Sequence, residues 1–465
     1  MSSWVHPFTL GPETVNPEIS ALRAMACYSN LAKSHCIMNS RLLIKSIFVT
    51  LIFAAAGFAL PGDLDKTFNG TGKRIHSFAP DLDWIEDIAV QPDGKIVAGG
   101  RGFFPGNMFS SAIIARFNSD GSTDTSFGVS GVVITNFGAP GSMISSLVLQ
   151  PDGKIVVCAR SFSFLDDYPS VVARFLGNGT LDTTFHHDGI LQPFQGFGSP
   201  QSVAIQADNK IVIVGGAGGM FSWGDTYVAR YTPDGHLDRR FGHLGKVIIS
   251  TVPDEDEAAI TVRIQPDQKI VLSGNYGFHS NNTTFVIRLR THGKIDTSFD
   301  GDGVKTVSFG AGINYPLDFE VQADGKIVLV GYYAATETSV GVSTIVRLHP
   351  SGAFDNSFDG DGRLTIADPA GRGIQFSDLA IQADGKIVLG GGVRQGNEPG
   401  TMNFIVMRRN SDGTPDGLFG TAGGVETDMS PTGDHIYALH LQPDGNIVVG
   451  GSADGNFALA RYLGQ

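Results

Sequence analysis

An all-β, seven-bladed β-propeller of four-stranded antiparallel blades is the fold this sequence predicts, on three observations. A variant of Gln-(Pro/Ala)-Asp-Gly-Lys-Ile-Val begins at Gln91, Gln150, Gln206, Gln265, Gln322, Gln382 and Gln442, in steps of 56 to 60 residues. A near-constant period of that size marks one supersecondary unit copied in series. Glycine supplies 61 of 465 residues and charged residues only 17%, a profile of short strands and tight turns. The third observation is phase: an Asp-x-x-Phe element ending at Phe68, Phe127, Phe185, Phe241, Phe299, Phe358 and Phe419 starts one copy before the first hairpin. The N-terminal strand is therefore expected to complete the last blade and latch the ring.

The first copy justifies four strands. Asp87 to Gln91 and Lys95 to Gly99 flank Pro92-Asp93-Gly94, where Pro presets φ and Gly takes the left-handed position of the turn. A third strand spans Ala112 to Phe117, and a fourth runs from Val132 to Asn136 after the Asp-x-x-Phe element. The third strand recurs around Arg174, Arg230, Arg288, Arg347, Arg408 and Arg461. An arginine present in every copy is expected to tie its blade together by pairing with a repeat aspartate. A β-solenoid competes with the ring, but it needs capping units, whereas here the strand missing at one end is supplied at the other.

Residues 1–37 read as a non-repeat extension upstream of a plausible start at Met38, so a mis-called start is one reading of them. Residues 38–59 read as a signal peptide: Arg41 and Lys45 precede an apolar run from Ile47 that ends in small residues at Gly57 and Ala59. Residues 60–465 are the propeller. The chain is expected to be secreted, periplasmic or at the cell surface, with no membrane span in the mature protein and, as a closed ring, to be a monomer. Its formal charge of −13, without a basic stripe, excludes a nucleic-acid partner. Removing residues 1–59 leaves Cys158 as the one cysteine, a buried filler where other copies carry Gly99, Val214, Ser273 and Gly390.

The three spaced motifs resemble the delta-60 repeat family, whose Leu-Asp-x-x-Phe-Gly, Gln-Pro-Asp-Gly-Lys-Ile-Val and Ala-Arg-Tyr patterns are matched across residues 64–462. The resemblance implies a bacterial, exported propeller and carries no established activity. Asn209 and Gln268 replace the turn Gly, Asn446 the Lys, and Thr123 and Pro415 a Leu. The Gln268 substitution leads to the expectation of a different turn in the fourth hairpin.

Identical positions point to architecture, so function is sought where the copies differ. The segments joining second and third strands vary in length and carry Phe103, Phe104, Phe162, Phe164, Tyr168, Phe221, Trp223, Tyr276, Phe278, Tyr332 and Tyr333, with Asp166, Asp167 and Asp225 among them. Aromatic platforms with carboxylates suit stacking on a glycan or gripping a protein. The expected function is that of a non-catalytic exported scaffold binding an extracellular or envelope glycan or protein. The alternative is a carbohydrate-active lyase or glycosidase, marked by carboxyl or His groups converging at the central opening. No Gly-x-Ser-x-Gly, His-Glu-x-x-His or Cys-x-x-Cys motif occurs, and the histidines are scattered apart from the His186-His187 pair. No organic cofactor is implied. Calcium is the one ion considered, at Asp296, Asp300 and Asp302 and at Asp355, Asp359 and Asp361.

Overall fold

The computed structural model describes residues 59–162, 170–193, 198–218, 224–252, 255–277, 283–336, 341–368, 370–395 and 401–465. The described residues form 28 strands in seven four-stranded antiparallel sheets, with no helix. Blade 1 is Asp83–Val90, Ile96–Gly102, Ser111–Phe117 and Val132–Thr135 from the axis outwards. The innermost strands of blades 2 to 7 are Gly141–Leu149, Ser199–Ile205, Glu257–Ile264, Ile313–Val321, Ile374–Ile381 and Asp434–Leu441. Blade 7 takes its outer strand, Lys73–His76, from the other end of the chain, paired antiparallel with Asn456–Tyr462. The latch expected from the phase of the motifs is thus present. It is reinforced where the Gly62 amide donates to the Leu463 carbonyl, 2.7 Å away.

Each inner strand begins about four residues earlier than the hairpin motif suggests, because it continues past a β-bulge. The bulge recurs in all seven, at Glu86, Ser145, Gln201, Ile260, Leu317, Ser377 and Tyr437. An extra residue bends a strand and re-aims the side chains around it, so this register is where the inner wall of the ring changes direction. Gln268 keeps the shared turn, with φ of 64° and its amide 2.8 Å from the Gln265 carbonyl. Its side-chain oxygen accepts the Ala207 amide at 3.0 Å, a contact between hairpins of neighbouring blades that offsets the left-handed backbone.

The core lies between blades. The seven Asp-x-x-Phe phenylalanines are fully buried, and each lies under an arginine of its own blade at 4.6–5.0 Å from the ring centroid. That arginine places Nε 2.7–3.0 Å from an aspartate, as in Arg116–Asp124, Arg347–Asp355 and Arg461–Asp65. The pairing expected from the repeat is present, and the geometry adds to it. Each Nη1 also donates to a carbonyl of the next blade, Gly177 for Arg116 and Ser119 for Arg461, so the clamps run around the closed ring. Cys158 is buried between blades 2 and 3, where burial pushes its thiol pKa far up, as a filler requires.

Candidate functional site

A repeat turns every register position of the inner strands into a ring of seven residues, and a functional ring is one that breaks its own pattern. The ring just past the bulge reads Asp87, Ser146, Ser202, Thr261, Asp318, Asp378 and Ala438. Two residues on, it reads Ala89, Val148, Ala204, Arg263, Glu320, Ala380 and His440. The second ring, with Asp87, Ser146 and Asp378 of the first, lines an axial cavity of about 600 Å³. Asp87 accepts the Leu147 amide of the next blade at 2.7 Å, and Asp378 the Leu439 amide at 2.6 Å. Arg263 grips Glu320 at 2.6 Å and both oxygens of Asp318 at 2.9 and 3.1 Å.

Four carboxylates thus face one guanidinium, and the imbalance appears in their protonation. Burial pushes Asp87 up to about 6. Burial and the adjacent, hydrogen-bonded Asp318 carboxyl hold Asp378 well above the usual range. Burial, with Arg263 nearby, depresses His440, so it adds no counter-charge. The convergence named above as the mark of an enzyme is present, yet each of these carboxylates is engaged in joining blades.

The other end of the inner strands, toward the variable loops, forms a mouth of different character. The cross-strand pairs there are Trp84 with Arg101, Met143 with Arg160, Ser199 with Gly216, Ala258 with Asn275, Tyr315 with Tyr332, Gln375 with Gly392 and His435 with Ser452. Only blades 1 and 2 place arginine in this ring. Arg101 lies over the Trp84 ring at 4.1 Å with Nε 3.4 Å from Glu86, and the Trp84 indole donates to Glu86 at 2.8 Å. Burial lowers the Arg160 pKa; the Glu86 charge opposes that shift and the Arg101 charge adds to it, which places all three in one electrostatic group. On the adjoining blade 7 the His435 ring is 4.8 Å from Tyr437 and its Nε2 is 2.7 Å from Ser377 Oγ. Burial pushes His435 down to about 4, so it is neutral. Tyr437 is 38% exposed, and burial and the Glu86 charge raise its pKa.

Loop aromatics of this kind either stand as exposed platforms or pack their own loops, and the described ones pack. Phe103, Phe104, Phe162, Tyr276, Tyr332 and Tyr333 are all half-buried. Phe104, Tyr276 and Tyr333 pack against the cores beside them, Phe103 lies 5.9 Å from Trp84, and Tyr332 stacks on Tyr315 at 4.7 Å. Packed in this way, the rings bury apolar area within their own surroundings. Phe164, Tyr168, Phe221, Trp223 and Phe278 lie outside the described residues. The mouth instead uses Trp84, Arg101, Arg160 and Tyr437, which loop composition does not single out. Aligning the seven copies and looking for columns where charge appears in only one or two would have found the arginines.

The aspartates considered for calcium are dispersed onto separate partners. Asp296 and Asp355 point into their arginine clamps, Asp300 pairs with Lys305 at 3.1 Å, and Asp302 and Asp361 each accept a backbone amide two residues on at 2.9 Å. Asp359 sits at φ of 50° in the same turn. Among the described residues no three His, Cys, Asp or Glu side chains are poised around a metal ion.

Among solved structures the chain is similar to a polysaccharide lyase of family PL25, an ulvan lyase, at 11% identity and a TM-score of 0.49, covering 84% of this chain and 96% of that one. It is also similar to the β-propeller domain of the Trilobed protease from Pyrococcus furiosus, at 13% identity and a TM-score of 0.45, covering 83% and 94%. A protein of unknown function from Dyadobacter fermentans matches at 12% and 0.44, covering 72% and 98%. These likenesses are of overall shape only. A search of curated proteins finds no match. A family model described as "Domain of unknown function (DUF5122) beta-propeller" matches residues 91–127, 150–185, 206–241, 265–299, 322–358, 382–419 and 442–464, more than half of the chain. With seven four-stranded blades and that match across every hairpin, the chain belongs to the DUF5122 β-propeller family.

Proposed function

We propose that this chain is an exported scaffold of the delta-60 repeat type that binds an acidic glycan at the mouth formed by blades 7, 1 and 2. The observation that carries this reading is the pair Arg101 and Arg160 at one register of neighbouring blades, the only arginines in that ring. A guanidinium fork suits the carboxylate or sulfate of an acidic sugar, and the partly exposed Tyr437 ring offers a stacking face beside it. On a chain of net charge −13, a local pair of arginines selects for an anion at one place and repels it elsewhere. The test is a glycan array probed with the wild type and with Arg101→Ala and Arg160→Ala. Selective capture of carboxylated or sulfated glycans, lost in both variants, is the expected result; wild-type protein that ignores acidic glycans overturns the reading.

A second reading, cleavage of the same glycan, rests on the neutral His435 with Ser377 and Tyr437 beside it. A neutral imidazole accepts a proton, and arginines that neutralise a sugar carboxylate make the adjacent carbon-bound hydrogen more acidic. Incubation with acidic polysaccharides distinguishes the two. New chain ends that His435→Ala abolishes identify an enzyme, and retained binding without new ends identifies a scaffold.

A further inference from the structure

On the face that carries the repeated turns, the propeller brings His236 against the adjacent pair His186 and His187, 50 residues earlier in the sequence. We propose that His186, His187 and His236 form a site for a divalent transition metal, zinc foremost, that clamps blade 2 to blade 3.

The three rings form a triangle with centroid separations of 5.7, 6.1 and 5.4 Å. A tetrahedral ion with Zn–N bonds of about 2.0–2.1 Å would set such centroids roughly 5 Å apart. The donor atoms do not yet converge, and closing the triangle by under 1 Å on average, through side-chain rotation, would bring them onto one ion. Two of the rings, His187 and His236, are exposed and open to an entering ion, while His186 is half-buried.

Three features prepare the site. His186 Nδ1 lies 3.0 Å from the Ile190 carbonyl, so that nitrogen donates a hydrogen and leaves Nε2 with the lone pair, the arrangement second-shell partners give to metal-binding imidazoles. The His186 amide donates to the Asp234 carbonyl at 2.9 Å, which fixes the blade 2 turn against the blade 3 turn that bears His236. Asp234 Oδ2 stands 3.7 Å from His236 Nε2, within reach of the group as a fourth ligand or as a partner to a ligand.

The backbone points the same way. His186 and His187 have φ of 46° and 75°. Three other copies make the same turn, Asn69-Gly70, Asp300-Gly301 and Asp359-Gly360, and all place glycine at the second position. A Cβ at Gly70, Gly301 or Gly360 would touch nothing, so glycine is used there for its backbone and not for space. Among these four turns, His187 alone carries a side chain at the left-handed second position, as residues retained for a ligand do. Imidazole donors suit zinc, nickel or copper and not calcium.

The test is titration of the untagged full chain with Co²⁺, read by its tetrahedral visible absorption, followed by displacement with Zn²⁺. One equivalent is expected to bind, with Zn²⁺ raising the thermal midpoint. His187→Gly and His236→Ala should each weaken binding at least tenfold and remove the zinc-dependent shift. His187→Gly should also melt no lower than the wild type without metal, because it relieves the strained turn. Wild-type protein without saturable binding overturns the proposal, as does binding that survives in both variants.

Discussion

At the rim of every blade an arginine lies over a phenylalanine with its Nε 2.7–3.0 Å from one aspartate; on the axis Arg263 faces Asp87, Asp318, Glu320 and Asp378. The side chains are the same, and their protonation differs. At the rim, burial works against the charge on Asp296, but the Ser298 hydrogen bond and the Arg288 charge prevail and hold it at about 2. On the axis, burial wins, and Asp87 and Asp378 rise instead. A carboxylate with an arginine and, as for Asp296, a lysine beside it stays ionised, whereas four carboxyls around one guanidinium are pushed toward holding protons. The rim is identical in all seven copies because it closes the ring; the axis varies, and neutral positions such as Ala89 and Ala380 occupy the same registers.

The sharpest way to break this contrast is to remove a rim arginine. Arg347→Ala leaves the buried Asp355 with Lys326, 3.4 Å away, as its remaining close cation and should cost about 3 kcal/mol in urea unfolding, with Arg347→Met plus Asp355→Leu recovering part of the loss. A loss under about 1 kcal/mol would show that the rim does not hold the blades.

A second comparison uses pH. Folded Asp87, with its pKa near 6, binds its proton more tightly than the unfolded chain does, so its contribution is complete below about pH 4 and lost as pH rises through 6. Relative to Asp87→Asn, the wild type should therefore lose about 2 kcal/mol between those limits. Comparison with the variant removes the opposite contribution of neutral histidines such as His435. Rim aspartates have the reverse sign: the contribution of Asp296 is present above about pH 4 and lost as pH falls through 2. A wild-type minus variant difference that does not change with pH would refute the protonated axis.

A third substitution, Asp378→Asn, exchanges a carboxyl whose pKa is held well above the usual range for a neutral isostere that accepts only one of the Leu379 and Leu439 amides. It should cost about 1–2 kcal/mol, and a loss as large as that of Arg347→Ala would erase the distinction between the two regions. The smallest effect on stability is expected at the mouth, where Arg101→Ala and Arg160→Ala together should shift the unfolding free energy by about 0.5 kcal/mol. Those same variants should abolish glycan capture, separating folding from function.

Blade number, strand order and ring closure were legible in the chain because repeated hairpins and the early Asp-x-x-Phe element each declare themselves within a few residues. The arginine clamp was half legible: the Asp124 partner of Arg116 is eight residues away, but the Gly177 carbonyl that extends the clamp belongs to the next copy. The candidate site is less legible. The described loop aromatics are half-buried against their own blades, whereas Arg101 and Arg160, the residues proposed to bind, sit inside strands that read as plain architecture.

The amino-acid sequence by itself determined the period, the turns, the buried phenylalanines and the latch, all of which depend on local backbone preference and on patterns repeated along the chain. Only the tertiary structure decided which residues meet across blades. His236 stands 50 residues from His186, and Arg263 is separated from Asp318 by 55. Closing the ring converts the same register in successive copies into neighbours around one axis. No local propensity encodes that proximity, which comes from the packing of one blade on the next.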